Sequence, residues 1–311
     1  MNLKIIFIGT PRFGAIVLEE LTKSFPPCLV ITHVDKKFGR EQILKSPEVK
    51  IAAENLCLPV LQTENIKSNM EDIRKLKPDL IVVAAFDQII PKSILDIPKS
   101  GSLNVHPSLL PKYRGPSPIQ FAIFNGDTKT GVTIMKMNEK MDQGEIVSKK
   151  EIEIDDKDSY INLLPRLAEL GGLLLIQTIP LFIEGKIKLI PQNEKEATYT
   201  KILKKEDGHI DFNLSALEIE RMIRAFNPFP SSHCFLDSKT IKIFKASVLK
   251  QNEAGPFGVI GKTFLATNNE IAVQTGKDFL VIQELQIEGK KRMKTEEFLR
   301  GNLKLVGQVL S

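Results

Sequence analysis

The stretch Asp79-Leu-Ile-Val-Val-Ala-Ala85 carries the strongest strand signal in this chain of 311 residues. It is apolar after its first residue and contains three β-branched side chains, a composition typical of a strand that is covered on both faces in a parallel sheet. Similar runs at 3–9, 29–34 and 102–106 alternate with segments whose apolar residues recur at helical spacing, such as 13–21. This alternation predicts an α/β fold with a doubly wound, mainly parallel sheet and right-handed crossovers.

The chain changes character near residue 185. Residues 185–204 carry five lysines against two glutamates, which is typical of an exposed basic linker. A helix signal follows at about 216–226, and after it come short β-like runs at 240–246, 258–260, 270–274 and 279–285. These runs predict a small β-barrel or sandwich. We therefore expect a first domain at 1–184, a basic linker at 185–204 and a second domain at 205–311.

The composition predicts a soluble, cytoplasmic protein. Hydrophobic residues make up 42% of the chain and charged residues 26%, and the longest apolar runs are far too short to span a membrane. No signal peptide is apparent at the first residues. Cys28, Cys57 and Cys234 show no metal-ligand spacing, and an odd number of cysteines favours a reducing compartment. The net charge of +5 permits a polyanionic partner without requiring one, and the chain shows no apolar dimerisation stripe, so we expect a monomer.

The most informative polar group is Asn104-Val105-His106, together with Asp142 in the turn between two predicted strands at 131–137 and 145–154. Asn104 and His106 are two residues apart, so both side chains point to the same side of a strand. The residues that follow, Pro107 to Gly115, contain two prolines and a glycine that end the strand. Polar side chains at a strand end, followed by a loop, are a common way to build a site on an α/β sheet.

These three residue types fit acyl transfer without a covalent enzyme intermediate. An Asn amide and a protonated His can both donate to a developing oxyanion, and a carboxylate can hold the His and move a proton. Because the set contains no strong nucleophile, we expect a substrate group to attack directly. Transfer to an amine fits best and hydrolysis fits less specifically. The structural alternative stays open, because turn aspartates are often only turn formers and the spacing alone does not bring Asp142 to His106.

At this point the sequence resembles a known family. The motif Asn-x-His-x-Ser-Leu-Leu-Pro-x-Tyr-Arg-Gly at residues 104–115, with Asp142 in its segment, resembles the signature of the formyltransferases that use 10-formyltetrahydrofolate. Within that family the similarity is greatest to the members that formylate methionyl-tRNA, and it extends over nearly the whole chain. The stretches that carry this narrower resemblance are 7–13, 42–47, 116–120, 204–212, 224–230 and 289–293.

The resemblance implies a Rossmann-like first domain and an OB-like second domain that binds tRNA. It implies transfer of the formyl group of 10-formyltetrahydrofolate to the α-amine of methionine on initiator methionyl-tRNA, for translation initiation. No metal is expected, because an amine nucleophile and an activated formyl donor need no Lewis acid. The alternatives are a formyltransferase acting on a UDP-amino sugar, and a non-catalytic tRNA- or nucleotide-binding protein on the same fold.

The resemblance also assigns residues. The expected catalytic residues are Asn104, His106 and Asp142. The expected folate-binding residues are Phe86, Asp87, Gln88, Ile89, Ile90, Ser108, Leu109, Leu110 and Pro111. The expected tRNA-binding residues are Lys36, Lys37, Arg40, Lys45, Lys204, Lys290, Lys291 and Arg292.

Two departures from the family pattern have physical consequences. Asp87 stands where the family usually has glycine, and the loss of that glycine predicts a reshaped folate loop. Glu41 and Gln42 follow Arg40 where the family usually has lysines, which predicts weaker electrostatic attraction to tRNA.

Overall fold

The computed structural model describes residues 3–38, 42–251, 258–266, 270–301 and 305–311. The chain divides into two compact units. The first comprises Met1–Pro118, Lys129–Glu153 and Leu163–Thr200, and the second comprises Ile119–Thr128, Ile154–Asn162 and Lys201–Ser311. The division is therefore not a single point in the sequence, because two short stretches before residue 163 belong to the second unit.

The elements of the described residues are as follows. The first nine strands are β1 (Ile5–Gly9), β2 (Leu29–His33), β3 (Lys36–Phe38), β4 (Ile43–Lys45), β5 (Val60–Thr63), β6 (Leu80–Ala84), β7 (Ser102–His106), β8 (Lys129–Lys136) and β9 (Ile146–Glu153). The remaining strands are β10 (His233–Leu236), β11 (Lys239–Leu249), β12 (Thr263–Leu265), β13 (Ile271–Gln274), β14 (Phe279–Ile287) and β15 (Met293–Lys294). The α-helices are α1 (Arg12–Thr22), α2 (Glu48–Asn55), α3 (Met70–Leu76), α4 (Lys92–Leu95), α5 (Pro118–Phe124), α6 (Tyr160–Ile183), α7 (Ala216–Phe226) and α8 (Thr295–Leu299). Three 3-10 helices lie at Ile66–Asn69, Glu194–Glu196 and Lys205–Gly208.

The first unit is built on a Rossmann-like sheet, as the sequence predicts. Among the described residues this sheet has seven strands in the order β5-β2-β1-β6-β7-β8-β9. The strands from β5 to β7 are parallel, and β8 and β9 extend the sheet in antiparallel fashion. Every residue of β1, β6 and β7 is buried, which explains why β1 and β6 are apolar on both faces, whereas β7 buries the polar residues Ser102, Asn104 and His106.

Helix α6 covers one face of this sheet. Its buried residues include Leu163, Leu167, Gly171, Leu175 and Ile179, which recur every four residues along one side. Gly171 and Gly172 do not interrupt the helix. A Cβ at Gly171 would lie 2.7 Å from Val105 Cγ1 of β7, so glycine is needed there for close packing of helix on strand. By length and composition alone, α6 is the one described helix that could cross a membrane, but its buried side belongs to the core of the unit.

Strands β3 and β4 form a short antiparallel hairpin, for which the sequence gives no strand signal. Lys36 pairs with Lys45, and Phe38 pairs with Ile43. Strands of three residues that carry lysines give no alternating apolar signal, so the pattern could not predict them. Arg40, at the tip of this hairpin in the sequence, lies outside the described residues.

The second unit combines helix α7 with an antiparallel sheet. Ser215 and Glu218 form a capping box at the start of α7, in which each side chain accepts a hydrogen bond from the other residue's backbone N–H. Strands β10 to β15 form the sheet, in the order β10-β11-β14-β13-β12 with β15 beside β14. The strand predicted at 258–260 is wrong. Those residues lead into a turn, where Lys262 N donates to Val259 O and Gly261 has a φ of 79°, and the strand begins after it as β12.

Candidate active site

Two neighbouring parallel strands, β6 and β7, end side by side and define the candidate site. Their register pairs Val83 with Asn104, so the segments after both strands leave the sheet at the same edge. Residues 86–90 follow β6 and residues 108–111 follow β7. The carboxyl ends of parallel strands are where α/β sheets bind ligands. The side chains of Asn104 and His106 lie at this edge, and the two residues are 9% and 4% exposed.

The imidazole of His106 is held between a carbonyl and a carboxylate. Its Nε2 lies 2.9 Å from the carbonyl oxygen of Tyr113, and its Nδ1 lies 3.7 Å from Oδ1 of Asp142. Since a carbonyl only accepts hydrogen bonds, Nε2 carries a proton and Nδ1 faces the carboxylate. The distance of 3.7 Å is too long for a direct hydrogen bond and leaves the pair close enough to be joined by a water or by a small shift. The fold thus brings His106 and Asp142 close together, a proximity that their spacing in the sequence does not predict.

Asp142 occupies a strained position in the turn between β8 and β9. Its φ is 51°, in the left-handed region that aspartate tolerates better than most residues. Its Oδ2 accepts a hydrogen bond of 2.7 Å from the backbone N–H of Gly115. The same turn requires glycine at position 144, because a Cβ there would lie 1.8 Å from the carbonyl oxygen of Lys136. Both the turn and the loop that contains Gly115 therefore fix the position of the Asp142 carboxylate.

Asn104 is 9% exposed, and its side-chain amide makes no hydrogen bond with any residue that the structure describes. An unpaired Asn104 amide beside His106 is therefore suited to a ligand oxygen.

A buried arginine holds the loop that carries Tyr113 and Gly115. The Arg114 side chain is fully buried, and each of its five N–H donors has a partner. Gln192 Oε1 accepts from Nε at 3.0 Å and from Nη2 at 2.9 Å. Glu194 accepts from Nη1 at 2.9 Å and from Nη2 at 2.8 Å, and Tyr199 Oη accepts from Nη1 at 2.9 Å. The hydrogen bonds with Glu194 raise the pKa of Arg114 and lower the pKa of Glu194.

The segment 192–200 is fastened to the same loop along its backbone. We call it the strap. Thr198 accepts from the N–H of Tyr113 through Oγ1 at 2.8 Å and from the N–H of Arg114 through its carbonyl at 2.9 Å. Thr200 N–H donates to the carbonyl of Arg114 at 2.7 Å. Tyr113 has a φ of 59° and Gly115 one of 107°, and a Cβ at Gly115 would lie 2.7 Å from the carbonyl of Thr200. The strap thus maintains two left-handed residues that carry contacts to His106 and Asp142.

The loop after β6 is anchored by Gln88 and Asp87. Gln88 accepts from Ile66 N–H at 2.8 Å and donates to the carbonyl of Glu64 at 3.1 Å. Asp87 Oδ1 lies 2.6 Å from Nε2 of His33, and Asp87 Oδ2 lies 3.8 Å from the ammonium of Lys36. The left-handed residue before this loop is Ala85, with a φ of 52°, and Asp87 is not left-handed. Asp87 therefore adds a charge to the loop without straining its backbone.

The other residues that resemblance assigns to folate surround this edge. Ile89 is 79% exposed, Phe86 and Leu109 are half-buried, and Ile90 and Pro111 are buried. Ser108 Oγ donates to the carbonyl of Lys112 at 2.6 Å, and Leu110 N–H donates to Thr133 Oγ1 at 3.0 Å. These bonds fix the 108–111 loop on the sheet, whereas Ile89 presents free apolar surface.

The residues to which the family resemblance assigns tRNA binding fall into two groups. Lys36, Lys37 and Lys45 are exposed on the β3–β4 hairpin of the first unit, where Lys45 also pairs with Glu48 at 2.9 Å. Lys204, Lys290, Lys291 and Arg292 are exposed in the second unit. Arg292 pairs with Glu284, and its guanidinium lies 4.4 Å from the centre of the Phe244 ring. Arg40 cannot be placed, because it lies outside the described residues.

Sequence reasoning missed the residues that support the site. Arg114 stands inside the quoted motif without an assigned role, and nothing in the sequence connects it with Gln192 or Glu194, about 80 residues later. The sequence hints at these contacts only in that residues 185–204, a lysine-rich stretch, also contain uncharged polar residues and two glutamates. That signal is too weak to pair distant side chains.

The fold and this site define the class of protein, a group-transfer enzyme on a Rossmann-like sheet. The family model described as "Formyl transferase" matches residues 3–179, and the model described as "Formyl transferase, C-terminal domain" matches residues 202–303. The chain therefore belongs to the formyl transferase family. A methionyl-tRNA formyltransferase of Syntrophus aciditrophicus is 41% identical over 312 residues, covering 99% of each chain. One of Bacillus velezensis is 43% identical, covering 99% of this chain and 97% of the relative.

Solved structures show the same fold at lower identity. An N-formyltransferase of Helicobacter canadensis, crystallised with folinic acid and dTDP-3-aminofucose, has a TM-score of 0.65 and 21% identity, covering 90% of this chain and 98% of that one. HypX of Aquifex aeolicus, crystallised with tetrahydrofolic acid, has a TM-score of 0.65 and 17% identity, covering 99% of this chain and 49% of that one.

We predict that Arg114→Lys destabilises the first unit. Lysine has three donors in place of five and lacks the planar fork, so acceptors on Gln192 and Glu194 lose their partners. We expect a loss of roughly 2–3 kcal/mol in the free energy of unfolding, seen as a fall of about 5 °C in calorimetry. The matched control is Arg74→Lys, which alters an exposed pair with Glu71 and should change stability by less than about 0.5 kcal/mol. Equal effects of the two variants would contradict a special role for Arg114.

Proposed function

We propose that this chain transfers the formyl group of 10-formyltetrahydrofolate to the α-amine of methionine on initiator methionyl-tRNA, for translation initiation. One observation carries the proposal. An unbonded Asn104 amide, His106 and Asp142 converge at one strand end of a chain that is 41% identical, over 99% of its length, to a methionyl-tRNA formyltransferase. The UDP-amino-sugar alternative has weaker support, because the sugar-binding neighbour is only 21% identical.

The residues at the sheet edge fit a folate. The exposed side chain of Ile89 and the half-buried ring of Phe86 give apolar surface for a planar ring system, and the loops after β6 and β7 flank the place it would occupy. We assign Phe86, Asp87, Gln88, Ile89 and Ile90 and residues 108–111 to this site. The bound folate supplies an activated formyl group. No metal is part of the proposal.

Asn104 and His106 would stabilise the negative charge that develops on the formyl oxygen when the methionine amine attacks. The Asn104 amide is free to donate. Nε2 of His106 is committed to the carbonyl of Tyr113, so its other nitrogen, Nδ1, is the one that would donate, in the protonated ring. Donors that are already in place as charge develops lower the barrier more than flexible ones.

Asp142 would stabilise the charge of the protonated His106 ring across the 3.7 Å gap, without taking the Nδ1 hydrogen that is donated to the formyl oxygen, and would accept a proton from the attacking amine. Its carboxylate is 13% exposed and already accepts one hydrogen bond from Gly115, so it keeps lone pairs for the proton. As the new C–N bond forms, the amine must lose this proton, and the departing folate nitrogen must gain one. Asp142, directly or through water, is placed to move it.

The acceptor tRNA would contact both units through basic side chains. Lys36, Lys37, Arg40 and Lys45 belong to the hairpin segment, and Lys204, Lys290, Lys291 and Arg292 belong to the second unit. The second unit would act as an OB-like barrel with a largely sequence-independent grip on the tRNA backbone. The proposal includes a catalytic domain at 1–184, a basic linker at 185–204, a tRNA-binding domain at 205–311, a monomeric state and a cytoplasmic location.

We predict formylation of methionyl initiator tRNA when the purified chain is given 10-formyltetrahydrofolate. A UDP-amino sugar, offered in a parallel reaction, should stay unmodified. Product is measured by acid-gel separation of the tRNA and by mass spectrometry of the sugar. If only the sugar were formylated, the acceptor would be an amino sugar and not tRNA, and the proposed roles of Asn104, His106 and Asp142 would be unchanged. The absence of transfer to either acceptor would refute enzyme function and favour a binding protein.

We predict that Asn104→Ala lowers the turnover number on the order of 10²–10³-fold, because one oxyanion donor is lost. Asp142→Asn should lower it at least as much, since the amide can still accept from Gly115 but cannot take a proton. Initial rates at saturating substrates give the measurement, and unfolding temperatures show that both variants fold. Asn69→Ala, at the start of α3, is the control and should keep full turnover. Near-normal turnover of either site variant would remove that residue from the mechanism.

We predict that the triple variant Lys36→Gln, Lys37→Gln, Lys45→Gln binds tRNA more weakly and with a shallower salt dependence. Each lost phosphate contact removes roughly 0.7–0.9 from the slope of log affinity against log salt, so we expect the loss of three contacts to change the slope by about two to three. The control triple, Lys67→Gln, Lys75→Gln, Lys99→Gln, removes the same charge from exposed positions of the first unit. Fluorescence anisotropy over a salt series measures both slopes. If the two triples behave alike, only net charge matters and the hairpin makes no specific contact.

A further inference from the structure

Gln192 joins two parts of the first unit that are distant in sequence. Its Nε2 donates to the backbone carbonyls of Asp142 at 2.8 Å and Gly144 at 2.7 Å. Its Oε1 accepts from both Nε and Nη2 of Arg114. The half-buried side chain therefore connects the turn that carries Asp142 with the arginine that anchors the Tyr113–Gly115 loop.

We propose that Gln192 is a positioning residue for formyl transfer, which acts by fixing the backbone of Asp142. The proposal rests on the proposed function, since it assigns a role within that reaction. Gln192 touches no reacting atom. It sets the position from which the Asp142 carboxylate reaches His106, at the present distance of 3.7 Å.

The turn needs this support because its geometry is unfavourable in isolation. Asp142 has a φ of 51°, and a left-handed backbone at a residue other than glycine persists only where its surroundings determine it. The contact from Gly115 N–H fixes the end of the Asp142 side chain, and Gln192 fixes the peptide at its base. With both in place the carboxylate has little freedom to swing away from the imidazole.

Only glutamine supplies both halves of the connection. The amide oxygen serves Arg114, and the amide nitrogen has two hydrogens for two carbonyls. Glutamate keeps acceptors for Arg114 but has no N–H to donate. Methionine matches the length and volume but makes none of these bonds, and asparagine is one methylene too short to reach both partners. The Gln192→Glu variant therefore keeps the contact with Arg114 and loses the contact with Asp142.

The test compares Gln192→Met and Gln192→Glu with the wild-type chain. We expect the turnover number of both to fall roughly 10- to 100-fold, as small misplacements of catalytic groups do. The KM values for folate and tRNA should change by less than about twofold, because substrate contacts are untouched. Gln283→Met is the matched control, since that half-buried glutamine donates one long bond to Ser247 in the second unit. It should leave turnover unchanged. Wild-type turnover in Gln192→Glu would overturn the proposal.

A double-mutant cycle decides whether Gln192 acts through Asp142. If it does, adding Gln192→Met to Asp142→Asn causes no further loss of turnover, because the group being positioned is already disabled. If the fold-losses in turnover of the two single variants instead multiply in the double variant, the proposal is overturned and Gln192 has a separate, structural role.

Hydrogen exchange supplies a readout that needs no activity. In Gln192→Met, backbone amides of residues 138–146 should exchange faster, while those of β1 keep wild-type rates. Unchanged exchange at 138–146 would overturn the proposal. This comparison also keeps the two hypotheses apart, because a wild-type chain that formylates no acceptor refutes the proposed function whatever the exchange shows.

Discussion

The buried guanidinium of Arg114 is the interaction on which the site depends. Five N–H donors meet five acceptor contacts on Gln192, Glu194 and Tyr199, so a charged group is buried without an unpaired donor. The ion pair with Glu194 contributes little by itself, since that carboxylate is 64% exposed and screened by water. What the arginine provides is geometry, because its rigid planar fork fixes three side chains of the strap at once.

That geometry explains how the site holds unfavourable conformations. Tyr113 and Asp142 both have a left-handed backbone, and each contributes to the surroundings of His106, one through a carbonyl and the other through a carboxylate. Strain of this kind persists when neighbouring contacts determine it. Here those contacts come from the strap, a segment that follows α6 and is mostly exposed along its own length. Strand β7 supplies Asn104 and His106, and the loops supply the groups that orient His106.

The parts of this structure that sequence could predict are those set by local periodicity. Strands β1 and β6 are buried on both faces and so are apolar throughout, and in β7 the alternation of period two puts Asn104 and His106 on one side. The sequence does not predict the hairpin β3–β4, because three-residue strands that carry lysines show no alternation of apolar and polar residues. The Asp142 carboxylate near His106 is fixed by a hydrogen bond from Gly115, 27 residues away, and the contacts of Gln192 join residues about 50 to 80 apart in sequence. No local pattern encodes such pairs, and only the fold reveals them.

Asp87 departs from the family pattern and adds a charge to the loop after β6. The sequence predicts a reshaped loop, since glycine usually stands there, but the left-handed position is Ala85 and Asp87 has no need of glycine's freedom. The carboxylate instead contacts His33 and lies 3.8 Å from Lys36. Because Asp87 and Lys36 are both more than half exposed, their attraction is weak and screened. Its main effect is to place a negative charge beside a lysine of the hairpin. The loop therefore gains a charge without a strained backbone, and the Asp87 carboxylate offsets part of the positive charge of the hairpin.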